Sequence, residues 1–425
     1  MPVDLTLDEK ITLLMSLATD DRDGSPESAA AVPPRLRNAG CGALGPVNIR
    51  NVRVGARQRV GLLRILMTNA CSFNCHYCPM RRDRDLPRTL LKPDELVRIF
   101  LGALRRGWCE GLFITTGIPG RPVKVMDDLI QVLELLRHRH AYRGYVHVKI
   151  VPGADQAQVE RLTLLATRVS VNLEAPCGTS LARIAPEKRF ATTLANLEHA
   201  RVQVVRGLRE ARAGRPHDPA HPGGTAGMTL QFVVGATPDS DRTIVETVTD
   251  LYAGGGIHHA HFSAFRPIRD TPMESVRATP ALREHRLYQA DHLMRRYGFG
   301  RDEIVYDDAG NLPLERDPKV ASALLARARF PVEVLRASYG ELLRVPGIGP
   351  GTALRIVSER RTTAIRGLAD LRRIGVLTSR AAGFLLLNGR RLRDERWLEQ
   401  LTLWAPEEAA GAYRGLHEFS PGTFR

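Results

Sequence analysis

The sequence has 425 residues, of which 43% are hydrophobic and 25% are charged. This balance is that of a globular protein, and the length allows one large domain together with a smaller one. No apolar run approaches the roughly 18 residues that a membrane helix requires, and the first ten residues lack the basic start and apolar core of a signal peptide. We therefore expect a cytoplasmic protein without a membrane partner. The net charge of +15 favours an anionic partner, nucleic acid before a membrane surface.

The chain opens with an extension over residues 1–59 that we expect to be partly irregular. A helical pattern covers Leu7–Leu17, and the stretch that follows to Pro46 is rich in Ser, Ala, Pro and Gly. From Val60 onwards, short apolar strands alternate with longer amphipathic helices. The predicted strands are Leu62–Thr68, Gly111–Thr116, Tyr145–Ile150, Arg168–Glu174, Met228–Gly235 and His259–Ala264. The predicted helices are Pro93–Arg105, Val125–Arg139, Asp155–Leu165, Glu187–Arg209, Asp239–Ala253 and Ala281–Tyr297.

Six βα units in series predict an α/β fold, with a parallel sheet that closes partly or wholly into a TIM-like (βα)6 barrel. An insertion over Gly207–Gly227 is predicted to be a mobile loop. We place the barrel over residues 60–300 and a turn-rich connector over residues 301–329. A small all-α domain over residues 330–391 and a C-terminal tail over residues 392–425 complete the expected organisation.

Three cysteines fall within eight residues, at Cys71, Cys75 and Cys78. In the cytoplasm, clustered cysteines more often bind metal or catalyse than form disulfides. Three thiolates are too few to close a structural zinc site, but they leave one iron of a [4Fe–4S] cluster open for chemistry. Zinc remains the alternative, with His76 or Cys109 as the fourth ligand. The triplet directly follows the first strand, at the barrel face where active sites are built.

The run Cys71-x3-Cys75-His76-Tyr77-Cys78, at the start of a (βα)6 series, resembles the signature of radical S-adenosylmethionine (SAM) enzymes. The aromatic Tyr77 before the last cysteine fits that signature as well. The resemblance implies a [4Fe–4S] cluster on the three cysteines, with SAM bound to its open iron. It also implies a reductant such as flavodoxin or ferredoxin. Reduction would cleave SAM to methionine and a 5′-deoxyadenosyl radical that removes hydrogen from a substrate.

Polar side chains alternate along the strand predicted over Arg168–Glu174. Ser170, Asn172 and Glu174 share one face, and polar groups on the inward face of a barrel are costly unless they contact a ligand, water or one another. The resemblance implies that the end of this strand contacts the ribose or methionine part of SAM. By the same alternation Lys149 faces inward, where it needs a counter-ion such as Glu174 or a substrate phosphate, unless it reaches solvent.

Three other strand ends carry candidate residues. Thr116 and Gly117 stand where radical SAM enzymes commonly have a Gly-Gly-Glu-Pro-like element that receives the SAM amino group, although this chain has no glutamate there. Gly235 resembles the glycine that lets backbone approach adenine, but a glycine at a strand end is often only a turn. Arg266 follows the last strand and is a candidate contact for an anionic substrate.

A Gly-bearing turn joins two apolar helical segments over Leu343–Ala353, and Leu371–Ala381 repeats the pattern. The duplication resembles a tandem helix-hairpin-helix domain, in which glycines and a helix N-terminus approach nucleic-acid phosphates rather than bases. Residues 331–400 hold 13 arginines, no lysine and seven acidic residues, which favours a phosphate-binding surface. Dimerisation or domain docking is the alternative. The candidate contacts are Gly347, Ile348, Gly349, Gly351, Thr352 and Gly375.

A radical SAM barrel with such a tail is similar to bacterial radical SAM proteins described as DNA modification or repair proteins. This narrower resemblance implies DNA as the substrate and a uracil-DNA-glycosylase-like protein as a partner. Two alternatives stay open, a radical SAM enzyme that modifies RNA and a DNA-binding iron–sulfur protein without turnover. The resemblance also draws on the runs Thr68-Asn-Ala-Cys71, Glu110-Gly-Leu-Phe113, Gly144-Tyr-Val-His-Val-Lys149, Asn172-Leu-Glu174 and Ala185-Pro-Glu-Lys188.

Overall fold

The computed structural model of the protein describes residues 5–18, 49–54, 58–213 and 221–393. The predicted irregular stretch up to Pro46 and residues 394–425 of the predicted tail lie outside these ranges. The chain divides into two compact units. Of the described residues, the first unit contains those up to Asp239 together with Thr247–Thr279, and the second contains Ser240–Glu246 and those from Pro280 onwards.

A seven-stranded sheet forms the centre of the first unit, and its strands follow the order of the chain. The strands are β1 (Ile49–Val54), β2 (Gln58–Leu66), β3 (Gly111–Thr115), β4 (Val146–Lys149), β5 (Arg168–Glu174), β6 (Met228–Val234) and β7 (Ile257–Ala264). β1 pairs antiparallel with β2, whereas β2 to β7 all run parallel. Because β1 and β7 are the two ends of the sheet, the six parallel strands form a partial barrel, as predicted.

Local sequence signals set where the helices of this region begin. The helices are α1 (Leu7–Leu17), α2 (Pro93–Arg105), α3 (Pro122–Glu134), α4 (Gln156–Leu165), α5 (Gly178–Ile184), α6 (Phe190–Arg212) and α7 (Asp241–Ala253). Pro93 suits the first turn of α2, and Asp155 caps α4 by accepting from the N–H of Gln158 over 2.8 Å. Each helix between parallel strands returns the chain to the same edge of the sheet.

All six predicted strands and all six predicted helices occur, with ends that differ by a few residues. The sequence does not predict β1 or the short helix α5. The predicted loop over Gly207–Gly227 is wrong in its first part, because α6 continues to Arg212. Gly207 lets the chain at Gly223 pack closely on this helix, since a Cβ atom there would lie 2.7 Å from the carbonyl oxygen of Gly223.

Apolar side chains form a small buried cluster towards the N-terminal end of the strands. Val60, Leu62, Phe113 and Tyr145 form a buried cluster near the start of β2, β3 and β4. The opposite edge, where the parallel strands end, carries the cysteine loop after β2. In parallel α/β sheets this is the edge that binds ligands.

The second unit is built from short helices and a small sheet. Its helices are α8 (Ala281–Tyr297), α9 (Pro318–Leu325), α10 (Tyr339–Arg344), α11 (Pro350–Glu359), α12 (Leu368–Ile374) and α13 (Thr378–Ala381). Short turns join α10 to α11 and α12 to α13, and both pairs pack on one apolar core. The prediction of an all-α domain is wrong in one respect, because three short strands pair here. They are β8 (Val332–Glu333), β9 (Leu385–Leu387) and β10 (Arg390–Arg391).

None of the helices in the described parts of the chain has the length and apolar character that crossing a bilayer requires.

Candidate active site

The loop that carries the three cysteines is tied by its backbone to the end of β3. The N–H of Met67 donates to the carbonyl of Thr115 over 2.9 Å, and the N–H of Gly117 donates to the carbonyl of Thr68 over 2.7 Å. A Cβ atom at residue 117 would lie 2.3 Å from the carbonyl oxygen of Ala70. The close approach of the cysteine loop therefore requires glycine at Gly117, whatever ligand its backbone contacts.

Asn69 and Arg88 brace the cysteine loop from within. The Asn69 side chain is fully buried, accepts from the N–H of Thr89 over 2.8 Å and donates to the carbonyl of Pro87 over 2.7 Å. The Arg88 guanidinium donates at 2.6–2.9 Å to four backbone carbonyls, those of Asn69, Met80, Arg81 and Arg84. Burial lowers the pKa of Arg88, whereas the nearby cysteines act in the opposite direction. The chain on both sides of the cysteines is thus fixed by protein groups alone.

Burial keeps the thiols of Cys75 and Cys78 protonated unless a metal takes the place of the proton. It raises the pKa of Cys75 to about 11 and the pKa of Cys78 to about 12. Backbone N–H groups approach two of the sulfurs, since Phe73 donates to Cys71 Sγ and Met80 to Cys78 Sγ, each over 3.4 Å. Such donors favour the thiolate form that binds metal. The three sulfurs therefore fit a metal-bound state.

Among the described residues, no three His, Cys, Asp or Glu side chains converge closely enough to hold a single metal ion. Zinc needs four ligands around one point, whereas each cysteine of an iron–sulfur cluster binds a different iron. Cys109 precedes β3, at the opposite edge of the sheet from the cysteine loop, and burial raises its pKa to about 12. The geometry therefore gives no support to a zinc site completed by His76 or Cys109.

An ion pair joins the end of β5 to the segment that follows α5. Oε1 of Glu174 lies 2.7 Å from Nζ of Lys188, and this Nζ donates to the hydroxyl of Tyr77 over 3.4 Å. Burial opposes the lysine charge, but Glu174 and Cys75 outweigh it and raise the pKa of Lys188. Burial, and then Glu174, raise the pKa of Tyr77, so its phenol stays protonated. Glu174 has a φ of +65°, which a non-glycine residue adopts only where its surroundings hold it.

Ser170 and Asn172 alternate along β5, and the register of β5 against β6 shifts between Asn172 and Glu174. The side chains of all three residues lack part of their hydrogen bonding. Within the described parts of the chain, Ser170 Oγ, Asn172 Oδ1 and Glu174 Oε2 are buried without a hydrogen-bond partner. Leaving a buried polar group unpaired costs about 1–3 kcal/mol, so three on one strand are typical of a site that a ligand completes. The ammonium and hydroxyl groups of SAM are suitable partners for the oxygens of Asn172 and Glu174. The residues present therefore fit the expected cofactor.

A row of polar residues crosses three neighbouring strands of the sheet. Lys149 on β4, Ser170 on β5 and Thr229 on β6 are in register. Lys149 is 8% exposed and donates to Oε1 of Gln231 over 2.9 Å, so it does not reach solvent, and a neutral amide rather than Glu174 accepts this bond. Thr229 is fully buried, and its hydroxyl has no hydrogen-bond partner in the part of the chain that the structure describes.

Contacts within the protein account for two other candidate residues of the barrel. Thr116 donates its hydroxyl to the carbonyl of Gly117 over 2.7 Å. Gly235 has a φ of +81°, and a Cβ atom there would lie 2.0 Å from Oγ1 of Thr279. The turn and the Thr279 side chain together account for glycine at this position. The side chain of Arg266 is exposed.

Buried contacts hold the turn between α10 and α11 in place. Gly347 has a φ of +85°, and a Cβ atom there would lie 2.7 Å from the carbonyl oxygen of Leu377 in the second turn. Ile348 is 1% exposed and packs in the core, so only its backbone is placed to contact a ligand. Nζ of Lys319 donates to the Ile348 carbonyl over 2.5 Å, and burial lowers the pKa of this lysine.

The N-terminus of α11 contains both open and packed positions. Gly349 is its N-cap residue, and a Cβ atom at Gly351 would meet no atom within 4 Å. Thr352 instead donates to the carbonyl of Gly375 over 3.3 Å. Gly375 ends α12 with a φ of +101°, and a Cβ atom there would lie 2.5 Å from Nη2 of Arg355. Gly351 therefore borders open space, whereas Thr352 and Gly375 serve the packing of the two helix pairs.

Residues 65–206, which run from β2 into α6, match the family model described as the radical SAM superfamily. The matched range includes the cysteine loop, β5 and Lys188. No curated protein matches the sequence.

Solved structures of three other proteins are similar to part of the chain. The FeFe-hydrogenase maturase HydG from Carboxydothermus hydrogenoformans has a TM-score of 0.41 and 16% identity, over 55% of this chain and 51% of its own. Methylornithine synthase (PylB) has a TM-score of 0.41 and 11% identity, over 55% of this chain and 61% of its own. The radical S-adenosylmethionine methyltransferase TsrM from Kitasatospora setae, with cobalamin and a [4Fe–4S] cluster bound, has a TM-score of 0.36 and 16% identity, over 53% of this chain and 42% of its own. The chain thus spans between 42% and 61% of the length of these proteins.

Proposed function

We propose that this chain, whose residues 65–206 form a radical SAM domain, acts in DNA modification or repair. The domain is that of an enzyme that uses a [4Fe–4S] cluster and SAM. When bound, these cofactors supply a 5′-deoxyadenosyl radical that removes hydrogen from a substrate. Cys71, Cys75 and Cys78 would hold the cluster, and Asn172 with Glu174 would contact SAM.

The protein's own groups would orient the cofactors and exclude water from them. The buried oxygens of Asn172 and Glu174 offer acceptors to ammonium and hydroxyl groups. Cys75 packs among apolar side chains that include Leu181, Ile184 and Phe265. A dry site strengthens every electrostatic contact in it and protects a reactive species from side reactions.

The N-terminus of α11 is the observation that carries the DNA part of the proposal. Gly351 borders open space there, and a helix N-terminus presents partial positive charge and free N–H groups to a phosphate. Two helix pairs with short Gly-bearing turns fit a tandem helix-hairpin-helix domain. The 13 arginines against seven acidic residues over residues 331–400 suit a polyanionic partner.

Two buried hydroxyls support a nucleotide as the group that enters the barrel. Ser170 Oγ and Thr229 Oγ1 lie in register on β5 and β6, and neither has a hydrogen-bond partner within the described ranges. A hydroxyl both donates and accepts, as the edge of a nucleobase requires. Because a barrel lumen cannot reach a base inside a duplex, the target would be a flipped or single-stranded nucleotide.

Two protein partners belong to the proposal. A small electron-transfer protein such as flavodoxin or ferredoxin would reduce the cluster, since the reaction consumes an electron. A uracil-DNA-glycosylase-like protein is the second proposed partner, and only the family resemblance supports it.

Formation of 5′-deoxyadenosine by the full chain tests the function. The protein is reconstituted anaerobically with iron and sulfide, reduced, and given SAM without nucleic acid, with single-stranded DNA, with damaged or mismatched duplex DNA, or with RNA of the same sequence. We expect DNA to stimulate the product, and deuterium placed in the target nucleotide to appear in it. The control is the triple variant Cys71→Ala, Cys75→Ala, Cys78→Ala, which should yield none.

The outcomes separate the proposal from its alternatives. Stimulation by RNA alone would make RNA the substrate, since phosphate contacts do not distinguish the two polymers. SAM cleavage that no nucleic acid stimulates would remove the DNA part of the proposal and leave a radical SAM enzyme with another substrate.

A further inference from the structure

The segment of residues 184–188, between α5 and α6, is held against the cysteine loop by two hydrogen bonds. The N–H of His76 donates to the carbonyl of Ile184 over 2.7 Å. The N–H of Asn74 donates to Oε1 of Glu187 over 3.0 Å. The position of this segment relative to the cysteines is therefore fixed by contacts at both of its ends.

Lys188 ends this segment and carries its charge into the buried surroundings of the sulfurs. Its side chain is 10% exposed, and that of its partner Glu174 is 2% exposed. Tyr77, which accepts a hydrogen bond from Lys188, packs with Cys75 and Cys78 in one apolar cluster. The ammonium therefore lies beside the residue that packs on these cysteines, in surroundings with little water, where charges interact strongly.

We propose that Lys188 is a positioning residue that sets the reduction potential of the cluster, and that Glu174 limits its effect. The net charge around an iron–sulfur cluster is one of the properties that tune its potential. A fixed positive charge favours the reduced state, which carries one more electron than the oxidised state. Lys188 makes reduction easier, and the carboxylate 2.7 Å away offsets part of that effect. The inference rests on the cluster and is independent of the identity of the substrate.

Neutral variants of Lys188 and Glu174 should shift the reduction potential in opposite directions. Lys188→Met keeps the length of the side chain but removes the positive charge, so the potential becomes more negative. Glu174→Gln keeps the shape but removes the negative charge, so the potential becomes less negative. Lys188→Arg restores the charge and keeps the potential near that of the wild-type protein. A purely structural role would predict the same direction for both neutral variants, because each breaks the same ion pair.

The experiment is a redox titration of the full chain, anaerobically reconstituted, without SAM or nucleic acid, monitored by the electron paramagnetic resonance signal of the reduced cluster. For Lys188→Met we expect the ratio of reduced to oxidised cluster at a fixed potential to fall about tenfold, which is a shift of about 59 mV for one electron. The matched control is Lys124→Met, which removes a lysine that pairs with Asp128 on the surface of α3. Its potential should equal that of the wild-type protein. Iron content is measured for every variant.

The results decide the inference directly. Equal potentials for the wild-type protein and Lys188→Met, at equal iron content, would overturn it, as would a shift of both neutral variants in one direction. If Lys188→Met does not retain iron, the test is the reduction potential of Glu174→Gln. A potential of this variant that equals that of the wild-type protein, or is more negative, overturns the inference. A potential that follows the predicted signs while DNA leaves SAM cleavage unchanged would support Lys188 and refute only the proposed DNA substrate.

Discussion

The backbone N–H of Leu377 donates to the carbonyl of Gly347 over 3.0 Å, so the two Gly-bearing turns of the second unit hold each other. This bond gives Gly347 a role in packing that is separate from any contact with phosphate. Changes at Gly347 therefore report on folding, and changes at Gly351 report on the open surface.

Gly347→Ala should destabilise the protein. The residue has a φ of +85°, and the new Cβ atom would lie 2.7 Å from the Leu377 carbonyl oxygen. We expect a loss of about 2 kcal/mol or more in the free energy of unfolding, measured by denaturant titration. Gly367→Ala is the control, because a Cβ atom there meets nothing within 4 Å. Equal stability of the two variants would contradict the packing role.

Gly351→Asp should weaken DNA binding without unfolding the protein. An acidic side chain in the first turn of α11 is compatible with the helix, but it repels a phosphate at that point. We expect the Kd for single-stranded DNA to rise about tenfold, or about 1.4 kcal/mol, by fluorescence anisotropy at fixed salt. Gly367→Asp adds the same charge at the start of α12 and should leave Kd nearly unchanged. If both variants bind like the wild-type protein, the turn does not contact DNA.

Thr229→Val should stabilise the protein and reduce its response to the substrate. The hydroxyl is fully buried and has no hydrogen-bond partner among the described residues, so an isosteric methyl group removes a cost of about 1 kcal/mol or more. Thr163→Val is the matched control, because the equally buried hydroxyl of Thr163 donates to the Val159 carbonyl over 2.7 Å. Calorimetry and DNA-stimulated SAM cleavage are the measurements. Full stimulation in Thr229→Val would remove this hydroxyl from the site.

Arg88→Lys should lower the amount of iron that the protein retains. One ammonium cannot reproduce the planar guanidinium that serves four carbonyls of the cysteine loop. We expect at least a twofold loss of bound iron after reconstitution and desalting. Arg82→Lys, at an exposed arginine of the same loop, should retain the wild-type amount. Equal iron in both variants would show that the loop does not depend on Arg88.

His292 should make the second unit less stable in acid. The ring centroids of His292 and Tyr297 lie 5.5 Å apart. Burial, and then the charge of Arg295, lower the pKa of His292 to about 4. The unfolded chain, with a His pKa of about 6.5, takes up the proton first, so stability falls as the pH drops from about 6.5 to about 4. The loss in Tm over that range should be smaller in His292→Gln than in the wild-type protein. Parallel Tm curves would contradict this prediction.

Periodicity was sufficient to predict the sheet because each parallel strand is a short apolar run followed by an amphipathic helix. β5 was predicted with its observed bounds, Arg168–Glu174, for that reason. β1 has no such pattern, since Ile49–Val54 contains two arginines and an asparagine and pairs only at the edge of the sheet. Its position follows from pairing with β2, which periodicity does not encode.

The candidate site was predictable where spacing in the sequence reflects spacing in the fold. The cysteines and the alternating residues of β5 are of this kind. Lys188 belonged to a run that contributed to the family resemblance, but its ion pair with Glu174 spans a helix and is visible only in three dimensions. Arg88 and Thr229 carried no sequence signal. Gly235 shows the opposite case, because the Thr279 side chain accounts for a glycine that a cofactor could also have explained.

The sheet has two free ends, β1 and β7, which do not pair with each other in the described part of the chain. A closed barrel would admit a polymer only from above, by a chain terminus or a tight loop. A sheet with a gap along its side allows a polymer chain to pass across the opening, while the parts of the polymer on either side continue outside. If the substrate is the nucleic acid that we propose, a nucleotide in the middle of a long polymer fits this opening, and its delivery needs no cut in the polymer.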